Sequence, residues 1–342
     1  MPDKKTLKGI KPFNKFWFRS CYYHQLIAAF ARFGVDEKIW FMDFIPIYRF
    51  DTENSTIHIE DYQLLGAKEI ERITGLRIIQ KKDSNDIVTE AINSIDNGTP
   101  IIVCVDCFYL EYRGDTYNKH HLTHFILLYG YDKASGKFNA IDHEYVNSWN
   151  YIEREISFEV IRKGFEEYIS HLSKADGYGI AKIKRVHKPS ALDTSEYLEL
   201  IADNKHIVQD SMAQVRKICD YVSETLGDET KLRASMDQFT EFFRITRVKK
   251  TAQKHQLLFV YNNTAIDETL DDIIDASTFI FGVLTKIKLT KTYDSKHREK
   301  LCWRISEYLE REISLHEFLL PCKRPLPCKR PRLLPCKRGA HE

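Results

Sequence analysis

The sequence predicts an α+β domain followed by an all-α region. Three observations carry this. Helical apolar periodicity recurs through the first hundred residues, apolar strands with one hairpin turn lie between residues 100 and 142, and long amphipathic runs with almost no strand signal follow residue 187. The expected organisation is therefore 1–187 as the α+β domain, 188–319 as a helical bundle domain, and 320–342 as a tail.

Residues 1–19 are polar and dotted with aromatics, and Pro12 disfavours helix before it, so an extended lead-in is expected. Cys21 then heads a helical pattern of Tyr22, Leu26, Ala29, Phe30 and Phe33 that should stop near Gly34, with Ser20 as its N-cap. From Ile39 to Ile59 aromatic and β-branched residues alternate loosely with polar ones, which reads as extended segments. Tyr62 to Thr74 reads as a helix closed by Gly75, Leu76 to Gln80 as a strand, and Asp83 to Asn97 as a helix closed by Gly98. Pro100 to Cys107 and His124 to Asp132 are apolar strands separated by a Tyr- and His-rich connection. Lys133-Ala134-Ser135-Gly136 makes a hairpin turn, and Lys137 to Asp142 returns. The long helices are expected at Leu192–Leu226, Glu229–Val260, Ile266–Leu289 and Asp294–Leu319. Leu-Pro-Cys-Lys-Arg then recurs three times, and proline with dense charge makes this tail a disordered segment.

Composition excludes several classes. A hydrophobic share of 43% and a charged share of 29% are those of an ordinary globular chain, and a net charge of +2 argues against a nucleic-acid partner. No apolar run approaches the roughly 18 residues that span a bilayer, and the basic N-terminus leads into no signal core, so a cytoplasmic protein without a membrane partner is expected. Cys104 and Cys107 have C-x-x-C spacing but continue the run Ile101-Ile102-Val103, a buried strand and not a metal half-site. His120 and His124 are four apart on a loop entering a strand, and no Glu follows His120, so no zinc site is expected either.

The chemistry converges on Cys21. A thiol in the first turn of a helix sits at the positive end of the helix dipole, beside unpaired N–H groups that lower its pKa and can hold an oxyanion. A cysteine nucleophile needs a base, and the base needs a group to orient it. His124 opens one strand and Asp142 ends the strand that returns antiparallel to it, so the two would meet at one edge of the sheet. This is the papain-like layout, with a Cys helix facing an antiparallel sheet. His121 ranks second as base, and His24, one helical turn from Cys21, ranks third. The Cys21 N–H is one natural oxyanion donor, and Asn14 is the candidate for the other.

Ser20-Cys21-Tyr22, the segment Val105-Asp106-Cys107-Phe108-Tyr109-Leu110-Glu111-Tyr112, and His121 to Asp132 followed by Ile141-Asp142 resemble the N-terminal domain of the butirosin-biosynthesis protein H family. The resemblance spans roughly residues 14–180. It implies a papain-like fold related to the double-glycine bacteriocin-processing peptidases and a Cys21, His124, Asp142 triad. It also implies transfer of an acyl group from a carrier-protein phosphopantetheine thioester to a small-molecule amine, as in amide-forming steps of thiotemplated pathways such as closthioamide assembly. No bound cofactor is implied. Asp106, Tyr109, Tyr112, Tyr117, His120 and His121 lead into the base and become candidates for the substrate pocket. Two other readings stand beside the acyltransferase: a cysteine peptidase or amidase using the same residues, and a non-catalytic carrier-binding protein in which Cys21 is inert.

Overall fold

The structure is a computed structural model that describes residues 2–17, 19–144, 148, 150–173, 177–190, 194–261 and 263–320. The expected disordered tail, with Cys322, Cys328 and Cys336, lies outside the described residues beyond Leu320. In chain order the elements are β1 (Lys4–Thr6), α1 (Cys21–Ala31), α2 (Lys38–Met42), β2 (Phe44–Asp51), β3 (Thr56–Gln63), α3 (Ala67–Thr74), β4 (Leu76–Lys81), α4 (Ile87–Asp96), β5 (Ile101–Asp106), β6 (Thr123–Asp132), β7 (Lys137–His143), β8 (Tyr151–Ser157), α5 (Phe158–Glu167) and β9 (Ile180–Arg185). The helices α6 (Thr194–Asp203), α7 (Lys205–Thr225), α8 (Glu229–Tyr261), α9 (Thr264–Thr290) and α10 (Ser295–Leu319) follow. Helices and antiparallel strands are combined as an α+β chain expects. Two compact units result, one of residues 1–43 with 65–192 and one of residues 44–64 with the chain from 193 onward.

The first unit is built on a seven-stranded sheet of order β4-β9-β5-β6-β7-β8, to which β1 adds by pairing with β6. Every pairing in it is antiparallel. β6 is the long central strand. β5 runs beside its first part, from Asp106↔Thr123 to Ile101↔Leu128, and β1 runs beside its end, at Thr6↔Gly130 to Lys4↔Asp132. The expected turn after β6 forms, with Asp132 Oδ1 accepting from the N–H groups of Ala134 and Ser135 at 3.0 and 3.3 Å. Register slips between Leu128 and Gly130, where a Cβ on Gly130 would lie 2.5 Å from Asn139 Oδ1 and 2.9 Å from Lys5 O. Only glycine lets three strands close at that point. Against β5 and β6 lies α1, whose residues His24 to Phe30 are buried. Gln25 fixes it to the sheet, since its Nε2 donates to Phe125 O at 3.2 Å and to Ile141 O at 3.1 Å, bridging β6 and β7.

Some expected bounds move. The helix expected from Tyr62 begins at Ala67, because Tyr62 and Gln63 pair with Ile45 and Phe44 as the end of β3. The extended reading from Ile39 holds only from Phe44, since Lys38–Met42 is helical. Gly75 closes α3 in the left-handed region at φ +68° and Gly98 follows α4 at φ +76°, as their positions predicted.

In the second unit the β2-β3 hairpin packs with α7 and α8, and α9 packs with α8 and α10. The hairpin 44–64 lies within the sequence span assigned to 1–187, yet its contacts are with the helices. The reason is burial on both faces, for Phe44 to Tyr48 are all buried. A buried polar layer joins these elements. Lys250 Nζ lies 2.8 Å from Glu312 Oε2 and 3.0 Å from Gln253 Oε1, Tyr48 donates to Glu312 Oε1 at 2.5 Å, and Tyr308 donates to Tyr48 at 2.6 Å. Lys250 and Glu312 are both 0% exposed. Removing one partner strands the other charge, so Lys250→Met is expected to lower stability by about 3–5 kcal/mol in denaturant titration, with Lys250→Met/Glu312→Gln recovering much of the loss. Among the described residues no helix is long and apolar enough to cross a membrane.

Candidate active site

Cys21 is the first residue of α1, and the chain reaches it through an unusual turn. Arg19 sits in the left-handed region at φ +53° and Ser20 is extended. A non-glycine residue holds such a conformation only when its surroundings fix it. Here the Arg19 guanidinium lies 3.8 Å from the Tyr23 ring centroid and donates to the buried Asp43 carboxylate at 2.9 Å, while the other oxygen of Asp43 accepts from Leu65 N at 3.1 Å. Ser20 occupies the N-cap position as expected, but its side chain makes no capping bond, and its carbonyl accepts from Tyr23 and His24. The N–H groups of Cys21 and Tyr22 precede the first intrahelical bonds, which is the donor pair an oxyanion needs.

His124 and Asp142 come from neighbouring strands of one hairpin. Nε2 of His124 donates to Asp142 Oδ1 at 2.5 Å, with the two residues 4% and 0% exposed. The other face of the imidazole serves the thiol: Cys21 and His124 are hydrogen-bonded, and the Phe125 N–H also donates to the sulfur. With Nε2 committed to Asp142, Nδ1 is the nitrogen left for sulfur. Burial pushes the Cys21 thiol up, but the charge of His124, its hydrogen bond and the Phe125 amide outweigh burial and hold the thiol below its ordinary value. Burial likewise opposes the His124 cation, yet Asp142 and Cys21 together raise it well above the ordinary imidazole range. Asp142, despite its own burial, is held down to about 2 by His124, Tyr112 and His143. A thiolate beside an imidazolium is the state these effects favour.

The remaining chosen residues divide. Asn14, expected as an oxyanion donor, differs from that expectation: its amide donates to Tyr151 O and its carbonyl accepts from Tyr151 N, both at 2.8 Å, so it splints the lead-in to β8. His24, third choice as base, is a core histidine that donates to Phe13 O at 3.3 Å and stacks on Tyr151 at 4.6 Å, and burial brings it down to about 4. His121, second choice, pairs with Asp106 Oδ2 at 2.5 Å and stacks on Phe108 at 4.5 Å. Asp106 also accepts from Phe108 N and Leu122 N, so this pair ties the two ends of the β5-β6 connection. His120 is exposed, Tyr117 is half-buried, and Tyr109 hydrogen-bonds to Glu167. Of the pocket candidates, Tyr112 reaches the group of Cys21, His124 and Asp142, its hydroxyl donating to Asp142 Oδ2.

Other residues around Cys21, His124 and Asp142 carried little local signal. Arg154 stacks on Tyr112, and the hydroxyl of Tyr151 meets His143 Nε2 at 2.7 Å. Their positions on β8 depend on a strand whose alternation in Tyr151-Ile152-Glu153-Arg154-Glu155-Ile156 is the one clue available. Cys104 and Cys107 are buried thiols pushed up by burial, and among the described residues no group of three or more His, Cys, Asp or Glu side chains converges to hold a metal ion. A cleft of about 650 Å³ belongs to the second unit, between β3, α7 and α8, and is lined by none of the chosen site residues.

Residues 32–143 match the family described as Butirosin biosynthesis protein H, N-terminal. That span includes the β6-β7 hairpin with His124 and Asp142 and begins after Cys21. It bears out the family resemblance over that span, which is narrower than the residues 14–180 expected and leaves Ser20-Cys21-Tyr22 outside it. No curated protein matches the chain.

Proposed function

We propose that this chain is a cysteine acyltransferase of papain-like construction, acting in biosynthesis of the butirosin type that the matched family's name describes. In this reading it moves an acyl or peptidyl group from a carrier-protein thioester to an amine. The observation that carries the proposal is the hydrogen-bonded run Cys21, His124, Asp142 at the N-terminus of α1, with sulfur and imidazole favoured as an ion pair.

The steps follow from those groups. The Cys21 thiolate attacks the thioester carbonyl, and the N–H groups of the first helical turn take the charge that develops on oxygen. The bond from the carbonyl carbon to the phosphopantetheine sulfur breaks, and that sulfur takes the proton held on His124. An acyl-enzyme remains. The amine then attacks the acyl carbon and gives its proton to the now neutral His124. The bond to Cys21 breaks, the amide leaves, and the ion pair is restored. Asp142 holds the imidazole in the tautomer that both proton transfers need. A thiol suits this donor because one thioester is exchanged for another at little cost in free energy.

Incubating the protein with an acyl-loaded carrier protein, with and without a primary amine, tests the reading. Amide formation that requires the amine is the expected outcome. Hydrolysis at the same rate in both arms, with no amide, would replace the transferase with an amidase or peptidase, and no turnover in either arm would leave only a carrier-binding role.

A further inference from the structure

A carboxylate held at one oxygen can still rotate about its terminal torsion, which has broad minima. Asp142 is held at both. Oδ1 accepts from His124 Nε2 at 2.5 Å and from the His143 N–H at 2.6 Å, and Oδ2 accepts from the Tyr112 hydroxyl. Tyr112 does not come from the hairpin that bears the other two donors but from the connection between β5 and β6. Its ring is fixed in turn, because the Arg154 guanidinium lies 3.8 Å from the ring centroid. Nη2 of Arg154 donates to His143 O at 2.5 Å and to Glu144 O at 2.9 Å. The contacts close a loop, from Asp142 to Tyr112, to Arg154, and back to the backbone that follows Asp142.

We propose that Tyr112 is a positioning residue of the acyl-transfer site: its hydroxyl fixes the plane of the Asp142 carboxylate, so that Oδ1 anchors His124 through Nε2 and leaves Nδ1 directed at Cys21. The inference rests on the reading of Cys21, His124 and Asp142 given above. The other titratable or charged groups facing Cys21, His124 and Asp142 are Cys104 from β5, Cys107 and Arg113 from the connection, His143 from β7 and Tyr151 from β8, with Arg154 from β8 beside Tyr112 and His24 from α1 beside His143. All of them stay in place when Tyr112 becomes phenylalanine, which removes one oxygen and little volume. Without the phenol the carboxylate is free to turn, the imidazolium loses its aligned partner, and the thiolate loses part of its stabilisation.

The test is the pH dependence of alkylation of Cys21 by iodoacetamide in the full chain, followed on the Cys21 peptide by mass spectrometry. In Tyr112→Phe the midpoint for thiolate reactivity is expected to rise by about one pH unit, while the thermal unfolding midpoint changes little. An unmoved midpoint would make Tyr112 a packing residue. A lowered one would mean that the phenol only screens the Asp142 charge, and either result overturns the proposal. Arg154→Lys, which keeps the charge but loses the stacked fork, should shift the midpoint in the same direction by less, and it decides the matter should Tyr112→Phe fail to fold. Alkylation uses no acyl donor. A protein that fails to make amide therefore leaves this result standing, and a protein that makes amide with an unshifted midpoint removes this proposal alone.

Discussion

Cys21→Ala is expected to abolish amide formation, a fall of about 10⁴-fold or more, with little change in unfolding temperature. On this reading no neighbouring thiol can stand in for Cys21, because Cys104 and Cys107 are fully buried and burial raises both thiols. Stability should hold, since alanine is the best residue for the first turn of α1 and Cys21 is only half-buried. Cys21→Ser should be nearly as inactive, because a hydroxyl does not ionise beside the imidazole as a thiol does. The measurement is amide product against time, paired with a thermal melt of each variant. Full activity in Cys21→Ala would leave the cysteine inert and place the chemistry on another residue.

The second large effect is at Asp142. Asp142→Asn keeps the shape of the side chain, and its carbonyl can still accept from His124 Nε2, but it removes the charge that stabilises the His124 cation and with it the Cys21 thiolate, so activity should drop by about 10²-fold. The same variant has a stability signature. Asp142 titrates at about 2 in the folded chain, below the roughly 3.9 of an unfolded aspartate, so its contribution to stability is present above about pH 4 and is lost as pH falls towards 2. The wild-type denaturation midpoint should therefore decline through that window, and Asp142→Asn should decline less. A parallel decline in both proteins would show that Asp142 is not held ionised by the fold.

Much of the site was legible in the sequence because its strands are local. β6 and β7 are adjacent in the chain and joined by a turn that Gly136 and Asp132 announce, so the meeting of His124 and Asp142 followed from strand length alone. Cys21 was legible from the apolar spacing of the helix it opens. What escaped depends on distant pairing. β9 inserts between β4 and β5, about a hundred residues from the first and about eighty from the second, and β1 reaches across to β6; no periodicity in three to six residues identifies such partners. The hairpin of β2 and β3 was readable as extended chain, but periodicity reports that Tyr48 is buried and not that it is buried against Glu312. Tyr112 was singled out as a pocket residue, and its bond to Asp142 was not foreseen. An amphipathic tyrosine in the connection that leads to His124 invites a pocket role, and the position of β8, which carries Arg154 over its ring, turns it towards Asp142.

The central claim is that Cys21 takes an acyl group from a carrier thioester. Intact-protein mass spectrometry after brief incubation with an acyl-loaded carrier, without amine, tests it most directly. The expected result is one added acyl mass, located on the Cys21 peptide, absent in Cys21→Ala and discharged when amine is supplied. Equal acylation of the wild-type protein and Cys21→Ala, or an adduct on another residue, would contradict it.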